Sequence, residues 1–270
     1  VAVHILETPP RFAPAHISRN ISMSNQVVLI TGALAGIGRA TAFAFADDKA
    51  NLVVSGRNEE AGKALVGELK ARGVEAEFIR ADVRKDDDVR NLIDQTVKRF
   101  GRLDIAVNNA GTEGEPGPIT EQTEESYAAT FDTNVLGVLL SLKHELRVMQ
   151  AQGSGSIVNL SSALGKIGFP GASVYVASKH AVEGLTKVAA LEGAPYNVRV
   201  NIVAPGPIET AMLNRFTGNE ENKAGLVSTI PLKRAGTVDE IAQAIVFLGS
   251  DKASYITGTT LGVDGGRLAT

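Results

Sequence analysis

The stretch Val27-Val28-Leu29-Ile30-Thr31-Gly32-Ala33-Leu34-Ala35-Gly36-Ile37-Gly38 changes character twice within twelve residues. Val27–Thr31 is a β-branched, apolar run that reads as a short buried strand, whereas Ile37, Phe43 and Phe45 recur at helical spacing up to Asp48. The glycines between them let backbone N–H groups approach an anion at the helix N-terminus, and Leu34 and Ala35 lie on the same turn. The spacing is G-x-x-x-G-x-G, not the G-x-G-x-x-G of the usual dinucleotide fingerprint, so the strand–turn–helix context carries the reading. Glycines serving only to pack the helix against the strand are the simpler alternative.

The same alternation runs outward to the C-terminus. Further strands are expected at Leu52–Ser55, Ala76–Ile79, Leu103–Val107, Ser156–Leu160, Val198–Val203 and Thr260–Val263. Helices are expected at Glu59–Arg72, Asp87–Phe100, Glu124–Gln150, Val174–Glu192 and Val238–Leu248. The strands are almost unbroken apolar runs, as when helices cover both faces of a parallel sheet. No linker or repeat interrupts residues 25 to 270, so the expected α/β fold is one doubly wound, Rossmann-like domain with a seven-stranded parallel sheet. The poorly periodic segment Ile208–Ile230 reads as a mobile substrate loop, or lid.

Residues 1–24 lack either periodicity and contain Pro9, Pro10 and Pro14, which mark a flexible arm. Arg11 and Arg19 against the single acid Glu7 suit a targeting peptide, but the prolines break the amphipathic helix it needs. Met23, just before the first strand, is the expected natural start.

With 27 Lys and Arg against 30 Asp and Glu, the net charge of −3 lacks the basic excess of a nucleic-acid surface. The absence of Trp and an aromatic content of 5% leave no stacking platform for single strands. A cysteine count of zero removes disulfides, thiolate metal sites and thiol nucleophiles, and permits a reducing compartment. No apolar run is long enough to span a bilayer. A soluble, cytoplasmic protein without membrane or nucleic-acid partners is expected.

At the end of the second strand, Val54-Ser55-Gly56-Arg57-Asn58 offers a guanidinium where an NAD-binding chain is expected to place an acid. Arg57 can grip a ribose 2′-phosphate, which favours NADP(H) over NAD(H), or it can be a solvated turn residue. Asn108-Asn109-Ala110-Gly111 closes the fourth strand at the carboxyl edge, where open α/β sheets bind ligands. Turn chemistry alone would also account for these amides and the glycine.

Tyr175 and Lys179 stand four residues apart on one helix face, so a cation can favour the phenolate. Ser161 and Ser162 end the preceding strand at the same sheet edge as the glycine turn. His180 and Glu183 are spaced for metal binding, but two ligands are too few for a metal-dependent hydrolase, and no metal site is expected.

Together these motifs resemble the short-chain dehydrogenase/reductase family in its single-domain form, including 3-oxoacyl-acyl-carrier-protein reductases and glucose dehydrogenase-like members. The resemblance spans about residues 25–266 and adds Asn134, the run Asn201–Thr210, and Val263-Asp264-Gly265-Gly266. It implies hydride transfer between a nicotinamide cofactor and a carbonyl or secondary alcohol. The family's serine precedes its tyrosine by 13 residues, which selects Ser162 over Ser161. By resemblance, Tyr175 exchanges the proton, Ser162 hydrogen-bonds the substrate oxygen, Lys179 lowers the phenol pKa and holds the nicotinamide ribose, and Asn134 organises a water relay. Gly32, Leu34, Ala35, Gly36, Ile37 and Gly38 would cradle the cofactor, with Asp82 and Val83 at the adenine. Asn109 would lie near its adenosine ribose and Ile208 with Thr210 at the nicotinamide carboxamide, with Ala110, Gly111, Pro205 and Gly206 also binding the cofactor. The family also implies a homotetramer. A catalytically silent dinucleotide-binding regulator on the same fold is the alternative. Ala163, Leu164, Ile167, Phe169, Met212, Leu213 and Phe216 either line an apolar pocket or pack the lid.

Overall fold

Val28 and Ile30 of the first strand join one buried apolar cluster and Leu29 joins another, so the strand buries both of its faces. This placement repeats through Leu52, Val53 and Val54 of the second strand and defines the two helical layers. The computed structural model describes residues 23–269. The arm expected over residues 1–24 lies outside the described residues except for its last two, of which Met23 is buried in the first cluster.

The parallel strands are β1 (Val27–Thr31), β2 (Asn51–Gly56), β3 (Ala76–Arg80), β4 (Ile105–Asn108), β5 (Gly155–Leu160), β6 (Val198–Pro205) and β7 (Thr260–Val263). Their order is β3-β2-β1-β4-β5-β6-β7, so the winding reverses between β1 and β4. That switch opens a crevice at the carboxyl edge, where Thr31 pairs with Asn108.

Helices α1 (Gly36–Asp47), α2 (Glu59–Ala71) and α3 (Asp86–Phe100) follow the first three strands. Next come α4 (Glu124–Phe131), α5 (Gly137–Gln152), α6 (Ser173–Gly193), α7 (Ala211–Thr217), α8 (Glu220–Ser228) and α9 (Val238–Gly249). Phe45 of α1 and Ile241, Ile245 and Leu248 of α9 fill one cluster. Leu92 and Ile93 of α3, Leu142 and Leu146 of α5, and Val182 of α6 fill the other. Each fully buried side chain of this size stabilises the fold by roughly 1.5–3 kcal/mol. Among the described residues, no helix is long and apolar enough to cross a membrane.

Two expectations change. The helix expected from Glu124 to Gln150 is interrupted at Asp132–Leu136 by one π-helical turn, whose extra residue per turn rotates Asn134 inward. The segment expected to be a loop over Ile208–Ile230 carries α7 and α8, started by the side chains of Thr210 and Asn219. Neither helix is long, and α8 buries no residue, so no apolar period announces it.

Candidate active site

The carboxyl ends of β1, β4, β5 and β6 converge on a groove made of two cavities that share Gly111 and Thr112. The larger, about 710 Å³, runs over Gly32, Leu34, Ala35 and Ala110 to Arg57, Asp82, Val83 and Arg84. The smaller, about 160 Å³, contains Ile37, Asn109, Ser162, Tyr175, Lys179, Pro205, Gly206, Ile208 and Thr210.

The glycine turn is held open by its geometry. Gly32 has φ of +63°, and a Cβ there would lie 2.8 Å from the Ala110 Cα. A Cβ on Gly38 would lie 2.4 Å from both the Gly32 carbonyl oxygen and Asn109 Nδ2, and Gly36 also has a positive φ. Asn109 fixes this contact by donating from Nδ2 to the carbonyls of Thr31 and Gly32. At the start of α1, Ala35 provides no side-chain cap and the first turn carries no acid. The first amides of α1 therefore have no side-chain acceptor, and the turn fits a phosphate group. By contrast, Asn58 caps α2, and Glu59 and Glu60 occupy its first turn.

At the far end of the larger cavity Arg57 is exposed, with its carbonyl accepting from Arg80 Nε at 3.2 Å. Asp82 receives Arg84 through Nε and Nη2, and this guanidinium holds its carboxyl down at about 2. Arg84 was not singled out by the sequence patterns, because only the return of β3 to the groove brings it into the same cavity as Arg57.

The smaller cavity is built around α6. Lys179 Nζ donates to the Leu160 carbonyl at 2.9 Å and lies 5.6 Å from the Tyr175 ring centroid. The Ser162 hydroxyl accepts the Leu164 N–H at 3.1 Å and hydrogen-bonds the Tyr175 phenol. The neighbouring Ser161 hydroxyl is directed to the Lys179 carbonyl and to Glu183 instead.

Burial pushes the Tyr175 phenol up to about 12, against the pull of its Ser162 hydrogen bond, and pushes Lys179 down to about 8. The expected lowering of the phenol by Lys179 is not what this geometry gives. Desolvation dominates, and the protonated phenol is the form suited to proton donation.

Asn134 is buried outside the cavity wall. Its Nδ2 donates to the Thr112 carbonyl at 2.9 Å and to Ser178 Oγ at 3.0 Å, while Oδ1 accepts the Thr112 N–H at 2.8 Å. Its side chain ties the π turn to the loop after β4 and to α6. His180 and Glu183 do not converge, since His180 is exposed and Glu183 is buried beside Lys166.

Ala163, Leu164, Phe169, Met212, Leu213 and Phe216 line the smaller cavity, whereas Ile167 does not. Phe216 of α7 faces both Phe169 and Tyr175, with ring centroids 5.8 and 6.5 Å away. Sequence reasoning missed Glu113, an acid in this wall that binds Arg215 of α7 across 102 residues of chain.

The family described as enoyl-(acyl carrier protein) reductase matches residues 32–267. A short-chain dehydrogenase/reductase of Aspergillus oryzae, astE, is 40% identical over 254 residues, covering 92% of this chain and 97% of the relative. The 3-oxoacyl-[acyl-carrier-protein] reductase FabG of Staphylococcus epidermidis is 41% identical over 243 residues, covering 90% and 98%. The crystal structure of levodione reductase superposes with a TM-score of 0.89 at 36% identity, covering 92% of this chain and 99% of that one. The chain belongs to the short-chain dehydrogenase/reductase family. Its class is that of the NAD(P)-dependent oxidoreductases.

Proposed function

We propose that this protein interconverts a carbonyl and a secondary alcohol on a small-molecule substrate, with NADP(H) preferred over NAD(H). The observation that carries the reading is the joint approach of Tyr175, Ser162 and Lys179 at the carboxyl edge, continuous with the uncapped start of α1.

The glycine turn and α1 would hold the pyrophosphate, Arg57 the 2′-phosphate, Asp82 and Val83 the adenine, and Lys179 the nicotinamide ribose. When bound, the nicotinamide supplies or takes up the hydride. As charge grows on the substrate oxygen, the Ser162 hydroxyl donates a hydrogen bond to it and Tyr175 delivers its proton. In the reverse direction Tyr175 receives the hydroxyl proton. Lys179 supplies a positive charge beside the resulting phenolate. Asn134 positions the loop at Thr112 and serves the water relay that resupplies the proton.

The cavity wall of Leu164, Phe169, Met212, Leu213 and Phe216 favours a largely apolar substrate. Tyr127 on α4, Leu139 on α5 and Val188 and Leu191 on α6 are exposed, which supports burial of these faces in a homotetramer. Light scattering at micromolar concentration should give four chains per particle. Residues 25–270 act as one domain with a substrate lid around residues 208–230, and a cytoplasmic location suits the cysteine-free chain.

The test is thermal shift with NADPH and NADH in parallel, followed by a carbonyl panel read as loss of NADPH absorbance. Tyr175→Phe should retain the cofactor shift and lose roughly 10²–10⁴-fold in kcat. A thermal shift with no turnover across the panel would favour the silent regulator.

A further inference from the structure

Glu113 and Arg215 meet where the lid closes over the smaller cavity. Arg215 donates from Nε to Glu113 Oε1 at 2.5 Å and from Nη2 to Oε2 at 3.1 Å, a two-point contact. Only 11% of the Glu113 side chain is exposed, against 60% for Arg215. The acid therefore belongs to the cavity wall, while its partner arrives from outside on α7. One residue further, Phe216 extends from the same helix to the Tyr175 ring. If α7 lifts, Phe216 withdraws from Tyr175 and the Glu113 carboxylate loses its counterion together.

We propose that the Glu113–Arg215 ion pair is a charged latch that couples closure of α7 to the proton chemistry of Tyr175. The inference rests on Tyr175 being the proton-exchanging group proposed above. With the latch closed, Arg215 offsets part of the negative field that Glu113, the nearer of the two in the cavity wall, exerts on the phenol. With it open, an unpaired carboxylate remains in an apolar wall and opposes formation of a second negative charge on Tyr175. The effect has the same sign as the upward influence that Glu113 exerts on this phenol. Two of the other polar groups near Tyr175 stand outside the lid, and a third, Arg267, is tied to it through Thr229. Ser162 comes from the turn after β5, and Lys179 from α6 itself. Arg267, in the C-terminal segment, lies over Phe169 and donates to Thr229. One movement of α7 thus seats Phe216 against Tyr175 and sets whether Glu113 meets the phenol with or without its counterion.

The latch is tested by two readouts that need no substrate. Phenolate absorbance, taken as the difference from Tyr175→Phe at a fixed alkaline pH that preserves the fold, reports Tyr175. Since the chain has no Trp, Phe216→Trp provides a single fluorophore on the lid, and acrylamide quenching reports its exposure. Glu113→Gln and Arg215→Gln should both increase quenching, because either one opens the latch. Both rehydrate the phenol alike, so the charge effect is read between them: the phenolate fraction should be roughly tenfold higher in Glu113→Gln than in Arg215→Gln, about one pH unit. The charge swap Glu113→Arg with Arg215→Glu should restore low quenching and raise the phenolate fraction above that of the parent protein. Urea midpoints confirm that each variant is folded, and protease cleavage within α7 provides a second measure of lid opening. Unchanged quenching and cleavage in both single variants would overturn the latch. Equal phenolate fractions in the two single variants would overturn the coupling. Full turnover by Tyr175→Phe would instead overturn the role proposed for the tyrosine, while leaving lid closure readable by fluorescence.

Discussion

The side-chain amide of Asn134 engages both backbone polar groups of Thr112, accepting its N–H at 2.8 Å and donating to its carbonyl at 2.9 Å. It thereby joins the π turn to the loop that leaves β4, and a third bond reaches Ser178 on the helix of Tyr175 and Lys179. Asn134→Asp preserves the acceptor and removes both donor contacts. This buried change should cost roughly 1–3 kcal/mol and lower kcat more than it weakens cofactor binding. Chemical denaturation and single-turnover rates of the variant are the check. An unchanged rate would show that the π turn keeps the site in place without the amide.

Arg57 is exposed at the end of the larger cavity and donates to no hydrogen bond shown among the described residues, leaving its guanidinium available for a phosphate. Arg57→Ala should weaken NADP binding by about 1.5–3 kcal/mol, roughly 10- to 150-fold, and leave NAD binding almost unchanged. Titration calorimetry with both nucleotides measures the difference. An equal loss for both would reassign Arg57 to general electrostatics.

Burial raises the Glu145 carboxyl from 4.5 to about 7. Asn108 Nδ2 donates to Oε2 at 3.0 Å, while Asn108 Oδ1 and Glu145 Oε1 are both buried without a partner. A proton on Glu145 removes the cost of burying its charge. The folded chain then holds a proton that the unfolded chain has released, so stability falls as pH rises from about 4.5 through about 7 and levels off above it. Glu145→Gln should flatten that slope and be the more stable protein above the window. Urea midpoints across the range test this, and parallel curves for the two proteins would disprove it.

Gly38 closes the glycine turn against β1. Gly38→Ala brings its Cβ within 2.4 Å of the Gly32 carbonyl, a backbone atom that cannot move aside cheaply. Loss of cofactor-induced thermal stabilisation is expected, with a drop in stability of about 1–3 kcal/mol. Retention of the full NADP shift would show that α1 can pivot on the turn.

The β1–glycine–α1 unit was legible because a change of period and a glycine cluster coincide between Thr31 and Gly38. The pairing of Tyr175 with Lys179 was legible because helical spacing alone puts them on one face. The π turn was not, since one wider turn within an otherwise helical stretch leaves the pattern from Glu124 onward almost unchanged. Helices α7 and α8 were hidden for another reason: side-chain caps at Thr210 and Asn219 define them more than any apolar stripe does. The Glu113–Arg215 contact had no local signature, because it joins the loop after β4 to a helix after β6.

The reversal of winding between β1 and β4 assigns the two halves of the groove to separate parts of the chain. Arg57 and Asp82 follow β2 and β3 on one side, whereas Ser162, Tyr175 and α7 follow β5 and β6 on the other. Substitutions in the two groups share no direct contact, so their free-energy effects should add. With the nucleotide and substrate held as proposed, their preferences become separate evolutionary traits, each able to drift or be redesigned while the other is held constant.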